Sequence, residues 1–224
     1  VIFDMGLRLD QIMIHEDAEI ENMHSLDLIK IKAIPDDTLM NGIEGTVKAI
    51  VCSHGHLDHI GAIPKLAHRY NAPIIATPYA TELIRQQISG EQKFGVNNKL
   101  FALKAGQRYT LSQNLVLEFV HTQHSIIDTV MPVLHTPQGA IVYACDFKLD
   151  RTPVIGQPPD FARLRQIGKE GVIALIVEST YIDRPGRCAS ERIAKDLVRD
   201  VITSYEDDKN AIMVSTFSSH IARV

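Results

Sequence analysis

The segment Ser53-His54-Gly55-His56-Leu57-Asp58-His59-Ile60-Gly61 closely follows the apolar run Val47–Val51, which indicates a buried strand. Three imidazoles and one carboxylate within six positions form a donor set that suits borderline-soft divalent metals. In an extended loop His54 and His56 point the same way, because side chains alternate along extended backbone. One ion is therefore predicted to take both, while Asp58 and His59, past a bend, face a second ion. The alternative is a run of surface histidines that binds nothing.

Two glycines and a proline shape the backbone around these histidines. Gly55 lets the backbone pass close to the ions, and Gly61 opens the chain for a following helix. Pro64 suits the first turn of that helix, because proline lacks the amide that the first turn leaves unbonded. We therefore expect the helix to begin after Gly61.

The stretch His54–His59 resembles the metal-binding motif of the metallo-β-lactamase fold. Three further segments agree with that fold in order and spacing, namely Ile2-Phe3-Asp4-Met5-Gly6, His124-Ser125-Ile126 and Ala144-Cys145-Asp146-Phe147-Lys148. Together with Glu178-Ser179-Thr180, they make the chain similar to the nucleic-acid-processing β-CASP family, and within it to the ribonuclease J group of archaeal type. The resemblance runs over essentially the whole chain.

This resemblance implies the fold class and the domain organisation. The fold would be α/β (α+β), an αββα metallo-β-lactamase sandwich with the start of an inserted α/β β-CASP domain. Residues 1–182 would be the N-terminal part of the metallo-β-lactamase domain, and 183–224 the beginning of an incomplete β-CASP domain. The chain starts at Val1 without a methionine and ends in an unfinished helical pattern, so we expect a fragment of a longer protein.

The local pattern predicts the elements of such a sandwich. A polar, acidic and irregular excursion follows the first strand up to residue 46, and Thr77-Pro78 begins a helix that the threonine hydroxyl caps. The continuous apolar run Val172–Val177 indicates a strand buried on both faces. The remaining predicted elements are strands at Pro73–Ala76, Leu115–Val120, Val130–Leu134, Ala140–Ala144 and Ala211–Val214, the third and fourth forming a hairpin, and helices beginning at Ser190 and near Ser218.

Composition narrows the function classes. A formal net charge of −4 excludes a globally basic nucleic-acid binder but allows a local basic groove. Cys52, Cys145 and Cys188 form no CxxC pair, which indicates reduced thiols and a cytoplasmic protein. Cys145 neighbours Asp146 on a strand and should point into the core. No apolar run approaches the roughly 18 residues of a membrane-spanning helix, so no membrane association is expected.

The resemblance also implies the composition of the metal centre. His54, His56 and His124 would hold the first ion, Asp58 and His59 the second, and Asp146 would bridge two Zn²⁺ ions, for which Mn²⁺ can substitute. Asp58 would orient the attacking water and accept its proton. Asp4 would hold a ligand or the metal loop by hydrogen bonds without binding metal, or would merely cap a turn before Gly6. Glu178 would act in catalysis by supporting a histidine that protonates the leaving group.

The implied activity is a zinc-dependent ribonuclease that hydrolyses RNA phosphodiester bonds, 5′–3′ and with possible internal cleavage, in RNA decay and maturation. Single-stranded RNA would be the partner, and the full-length protein a homodimer. Lys148, Arg184 and Arg187 are predicted to contact RNA, although the two arginines fit solvated surface equally well. Two alternatives remain: another hydrolase of this fold, acting on a thioester or lactam, and a non-catalytic scaffold subunit.

Overall fold

The computed structural model describes residues 1–15, 23–205, 210–216 and 220. The first of its two sheets contains β1 (Ile2–Phe3), β2 (Ile50–Val51), β3 (Ile74–Ala76) and β4 (Leu100–Ala102), in this order and all parallel. β2 and β3 are fully buried, as expected where both faces of a parallel sheet are covered. β2 is shorter than the predicted strand because Lys48 is exposed and pairing begins only at Ile50.

The second sheet is mostly antiparallel. It contains β5 (Arg108–Ser112), β6 (Leu115–His121), β7 (Val130–Thr136), β8 (Gly139–Ala144) and β9 (Val172–Val177), in chain order, with β8 and β9 parallel. The predicted hairpin is confirmed. Its turn closes between Thr136 and Gly139, which face each other in the register, and Gly139 has a φ of 136° that favours glycine.

Seven α-helices are described, several of them very short. They are α1 (Leu9–Ile14), α2 (Ser25–Lys30), α3 (Leu57–Ile60), α4 (Ile63–Leu66), α5 (Pro78–Gly90), α6 (Phe161–Glu170) and α7 (Glu191–Thr203). Short 3₁₀ turns cover Asp37–Met40, Ala67–Arg69 and Gln92–Phe94. Among the described residues, no helix combines the length and apolar character needed to cross a bilayer.

Three apolar clusters hold the layers together. Val51 and Ile75 of the first sheet pack with Leu117, Phe119 and Val130 of the second, which forms the interface between the sheets. The outer face of the first sheet packs against the helices through a cluster that includes Leu28, Ile50, Ile60, Ile74 and Ile84. The outer face of the second sheet packs against α6 through Val120, Val133, Val142, Leu164 and Ile167. These four layers confirm the predicted αββα sandwich.

The structure corrects three local predictions before residue 180 and confirms a fourth. The segment before residue 46 contains α1 and α2, and Leu28 is completely buried, so this part packs on the core. The helix expected after Gly61 is confirmed as α4, with Pro64 in its first turn, and a separate short helix, α3, precedes Gly61. The Thr77 hydroxyl is buried without a hydrogen-bond partner among the described residues, whereas the amide of Tyr79 in the first turn of α5 donates to Asp128. β9 forms as predicted but is the last strand of its sheet, so most of its side chains are exposed instead of buried.

The region after residue 182 forms only in part as predicted. α7 begins after Ser190, whose hydroxyl accepts a hydrogen bond from the Arg192 amide at 3.2 Å, as expected for a helix cap. The predicted strand at Ala211–Val214 is absent, because these residues pair with no other described strand. The predicted helix near Ser218 lies outside the described residues. The division into two domains at residue 182 remains a prediction.

Candidate metal centre

The candidate ligands lie where strands of both sheets end. His54 follows β2, His124 follows β6 and Asp146 follows β8. β6 and β8 are both antiparallel to β7, so they run in the same direction and end at the same edge of the second sheet. The Val130 amide donates to the Ser53 carbonyl at 3.1 Å, which joins this edge to the end of β2.

Short side-chain distances connect the first group of candidate ligands. His54 Nε2 lies 3.0 Å from His56 Nδ1, and His124 Nε2 lies 3.2 Å from the same nitrogen. His124 Nε2 is 3.4 Å from Asp146 Oδ2. One donor atom from each of these four residues lies within 4.8 Å of the others, the spacing expected around a shared cation.

A second group shares Asp146 with the first. His59 Nε2 lies 3.5 Å from Asp146 Oδ2 and 3.7 Å from Asp58 Oδ2. These three residues also offer donor atoms within 4.8 Å of one another. The structure therefore brings together all six residues predicted as ligands, in two groups joined at Asp146, and this nitrogen and oxygen donor set fits divalent metal.

Burial and the neighbouring histidines keep three of the imidazoles neutral, the form that binds a metal ion. Desolvation lowers the pKa of His54, with the neighbouring histidines adding to the effect. Burial likewise lowers the pKa of His56, and lowers that of His124 to about 4 despite the opposing charge of Asp146. Since only neutral imidazole offers a lone pair to a metal, these three histidines need no deprotonation at neutral pH.

His59 and Asp146 show the opposite electrostatic behaviour. Burial would lower the pKa of His59, but its hydrogen bonds to Asp146 and Asp4 outweigh burial and raise the pKa to about 10. The bond to His59 also lowers the pKa of Asp146. Without metal, an ion pair therefore compensates the buried carboxylates, and a bound cation would take over this role.

Asp4 lies beneath the two groups of candidate ligands, and its carboxylate oxygens accept four hydrogen bonds. Its Oδ2 accepts from His59 Nδ1 at 2.7 Å, from the Ser53 hydroxyl at 2.8 Å and from the Tyr143 hydroxyl at 2.9 Å, while Oδ1 accepts from the Ser53 amide at 2.8 Å. The bond from Nδ1 leaves His59 Nε2 free to face Asp58 and Asp146. Asp4 reaches this position with a φ of 55°, a strained conformation that aspartate tolerates better than most residues.

Tyr143 and Ser53 are site residues that the sequence did not predict. Tyr143 stacks on Phe3 with ring centroids 5.1 Å apart, and burial together with Asp4 raises the pKa of its hydroxyl. Tyr143 and Asp4 are 139 positions apart, so no local spacing connects them. The Ser53 hydroxyl lies 3.0 Å from His54 Nδ1 and therefore contacts both Asp4 and a predicted ligand.

Gly6 positions the helix that carries Asp58 and His59. A Cβ on Gly6 would collide with the backbone of Asp58. The neighbouring amides of Met5 and Leu7 donate to the carbonyls of His59 and Leu57 at 2.7 and 2.9 Å. The segment after β1 thus lies directly against α3, and only glycine allows this close approach.

The remaining predicted site residues lie around or away from the cluster. The Asp58 side chain is 48% exposed and so faces the open side of the centre. Glu178 accepts a hydrogen bond from the Thr180 amide at 2.7 Å and makes none to the cluster among the described residues. Cys145 is buried and donates to the Val130 carbonyl, which confirms the expected core position. The charge of His220, for which no role was predicted, contributes to the lowered pKa of His56.

The cations predicted to contact RNA have different surroundings. Lys148 Nζ binds Glu191 Oε1 at 2.6 Å, and both side chains are largely buried. The Arg184 guanidinium lies over the Tyr181 ring, 4.7 Å from its centroid, and Arg187 is exposed. The described structure shows no contact of these three residues with the metal-ligand groups, and their RNA contacts remain predictions.

Comparison with known proteins agrees with this fold and site. Residues 38–144 match the model of the metallo-beta-lactamase superfamily. A solved structure, a protein of unknown function from Enterococcus faecalis V583, superposes with a TM-score of 0.58 at 20% identity, covering 90% of this chain and 51% of that one. The fold, the family match and the histidine–aspartate cluster define a metallo-β-lactamase domain.

Curated relatives identify the branch. The chain is 54% identical over 224 residues to Ribonuclease J of Methanocaldococcus jannaschii and 46% identical over 225 residues to Ribonuclease J of Pyrococcus abyssi. Both matches cover 100% of this chain, but 50% and 49% of the relatives, so the chain spans about half their length. Over the span that it shares with these relatives, the chain is ribonuclease J-like and carries a match to the metallo-beta-lactamase superfamily, as its motifs predicted.

Proposed function

We propose that the full-length protein is a zinc-dependent ribonuclease that hydrolyses phosphodiester bonds in single-stranded RNA, as a 5′–3′ exonuclease with internal cleavage as a second mode. The observation that carries this proposal is the convergence of six metal-suited donors in two groups that share Asp146. The names of the two archaeal relatives, each Ribonuclease J, support RNA as the substrate. A non-catalytic scaffold is disfavoured because no predicted ligand in this span is missing.

Two zinc ions fit the donor set. His54, His56 and His124 would hold one ion, Asp58 and His59 the other, and Asp146 both. Bound metal of this kind activates water at neutral pH and neutralises charge on phosphoryl oxygens. Mn²⁺ can substitute in the second group, because two of its three donors are carboxylates.

The protein side chains would orient the water, hold the ligands, support protonation of the leaving group and attract the RNA. Asp58 is half exposed beside the second group, so its outer carboxylate oxygen can orient the attacking water and accept its proton. Asp4 holds His59 in the tautomer whose Nε2 faces the centre. We assign Glu178 the support of the group that protonates the leaving oxygen. Lys148, Arg184 and Arg187 would attract the RNA backbone.

The setting of this activity is also part of the proposal. The three cysteines form no disulfide, two of them are buried, and this pattern supports a reducing, cytoplasmic location. A homodimeric full-length protein and a role in RNA decay and maturation rest on the resemblance to the ribonuclease J group.

A substrate panel tests the proposal directly. The full-length, zinc-loaded protein should cleave single-stranded RNA, and His56→Ala should reduce kcat/KM by several orders of magnitude, since His56 belongs to the first donor group. His121→Ala serves as the control, because His121 contacts the Gln157 carbonyl and belongs to neither donor group. Hydrolysis of a thioester or a lactam without RNA cleavage would replace this function by the alternative hydrolase.

A further inference from the structure

A surface groove of about 570 Å³ is lined in part by Asp58, a member of the second donor group. Three cations, Arg8, Lys30 and Lys32, and two carboxylates, Asp36 and Asp58, contribute to its lining. The function proposed above does not use Arg8, Lys30 or Lys32. A basic groove that begins at a predicted catalytic carboxylate is a candidate path for the substrate's backbone.

Backbone hydrogen bonds fix the position of this groove relative to α3, which carries Asp58. The Leu7 amide donates to the Leu57 carbonyl at 2.9 Å, next to Asp58 in α3. The Arg8 amide donates to the Ala33 carbonyl at 2.8 Å, next to Lys32. The end of α2, the segment around Arg8 and the start of α3 therefore form one continuous floor.

Lys32 occupies a backbone position that favours glycine. After α2, the amides of Lys32 and Ala33 donate to the carbonyls of Ile29 and Leu28, which is the Schellman arrangement of a helix end. Lys32 is the left-handed residue of this motif, with a φ of 58°. A lysine is strained there, and strained residues that persist often have a function that glycine cannot supply.

Lys32 is also the least engaged of the three cations. Arg8 pairs with Asp10 at 2.6 Å and Lys30 with Asp27 at 2.8 Å, both on exposed surface. The Lys32 ammonium group makes no hydrogen bond or ion pair with any described residue, and the residue is exposed.

The two carboxylates of the groove have other partners, so they do not prevent an anion from binding there. Asp36 is already engaged, because one of its oxygens accepts from both the amide and the hydroxyl of Thr38. Asp58 belongs to the second donor group, where a bound cation would offset its charge. The free positive charge of the groove is thus concentrated on Lys32.

We propose that this groove is a phosphate-binding subsite for the RNA strand, in which Lys32 binds a backbone phosphate next to the one held at the metal centre and Arg8 supports it. This inference rests on the proposed ribonuclease function. The subsite reads charge and not base identity, since phosphate contacts position a strand without specifying its sequence. Its position beside α3 fixes which side of the centre the strand passes.

The test uses steady-state cleavage of a short single-stranded RNA by the zinc-loaded, full-length protein across KCl concentrations. Lys32→Gly removes the charge while suiting the left-handed backbone, so the variant should fold with an unchanged or higher Tm. Loss of one phosphate contact on a single strand reduces the slope of log affinity against log salt concentration by roughly 0.7. With affinity at 1 M salt as the reference, this corresponds to about fivefold weaker binding at 0.1 M salt. We expect KM to rise by this factor with kcat nearly unchanged.

Two further variants sharpen the result. Lys32→Arg keeps the charge and should retain the wild-type KM and salt slope. Lys169→Ala, which removes an exposed cation from α6 behind the second sheet, should also behave like wild type. A Lys32→Gly enzyme with wild-type KM and salt slope would overturn the subsite and leave the ribonuclease function standing. Wild-type protein that neither binds nor cleaves RNA would overturn both.

Discussion

Asp4 illustrates how much of the site depends on single residues. Three donors converge on its Oδ2, two from the metal loop, on Ser53 and His59, and one from β8, on Tyr143. Each of these bonds is charge-assisted and therefore stronger than a bond between neutral groups. The carboxylate orients His59 and joins β8 to the metal loop, although it binds no metal in our assignment.

Substitution of Asp4 should weaken metal binding without unfolding the protein. Asp4→Asn places an amide against the three donors and removes the charge that orients His59, so zinc affinity should fall by about 10- to 100-fold. Competition with a chelator of known affinity measures this change, and Asp196→Ala on the exposed face of α7 is the matched control. Equal zinc affinity in Asp4→Asn and wild type would show that Asp4 has no such role.

Gly6 allows a second prediction at this scale. Gly6→Ala should displace α3, because the added Cβ meets the Asp58 backbone and cannot be accommodated by a side-chain rotation. Overpacking of this kind costs about 1–3 kcal/mol, and the second metal should be lost with it. Gly168→Ala is the control, since Gly168 lies in α6 with open space around it and alanine favours helices. Denaturant unfolding and metal analysis of both variants distinguish a local clash from a general intolerance of alanine.

At the scale of elements, one buried carboxylate links three strands of the second sheet to α6. Glu118 of β6 binds Arg108 of β5, His135 of β7 and Arg163 of α6, and its side chain is 4% exposed. Burial raises its pKa, but the bonds to Arg163 and His135 outweigh burial and lower the pKa to about 2. This network holds α6 on the outer face of the second sheet.

The lowered pKa of Glu118 predicts how stability depends on pH. A depressed folded-state pKa stabilises the protein above the unfolded value near 4.5, and this stability is lost as the pH falls towards 2. Glu118→Gln should therefore cost about 3 kcal/mol at neutral pH, because it removes the group whose pKa folding lowers, and should flatten the loss of stability in acid. Glu170 is an exposed partner of the same Arg163, so Glu170→Gln should change the stability at neutral pH and its dependence on acid far less. Urea unfolding between pH 3 and 7 measures these differences.

The elements also show what the sequence could and could not predict. Spacing within short segments predicted the metal motif, the hairpin and the start of α7, because these depend on neighbouring residues. It wrongly predicted that the Thr77 hydroxyl caps α5 and that β9 is buried on both faces, because both outcomes depend on what packs nearby. The contact between Asp4 and Tyr143 spans 139 positions and likewise lay beyond any local pattern.

At the scale of the whole molecule, the metal centre depends on the meeting of the two sheets. His54, His56, Asp58 and His59 follow β2 of the first sheet, whereas His124 and Asp146 follow strands of the second. The apolar interface around Phe119 holds the two edges together. The six candidate ligands and their division into two groups joined at Asp146 were predictable because the family motifs cover them, but the contact of Tyr143 with Asp4 beneath them required the folded chain.

Metal content of the full-length protein tests this two-group centre most directly. Protein purified without chelator and analysed by elemental analysis should contain two zinc ions per chain. His124→Ala should lower the content to one or less, because His124 belongs only to the first group. The control His135→Ala removes an imidazole that binds Glu118 and should retain two ions per folded chain. One ion or none in wild-type protein that still cleaves RNA would contradict the two-metal account.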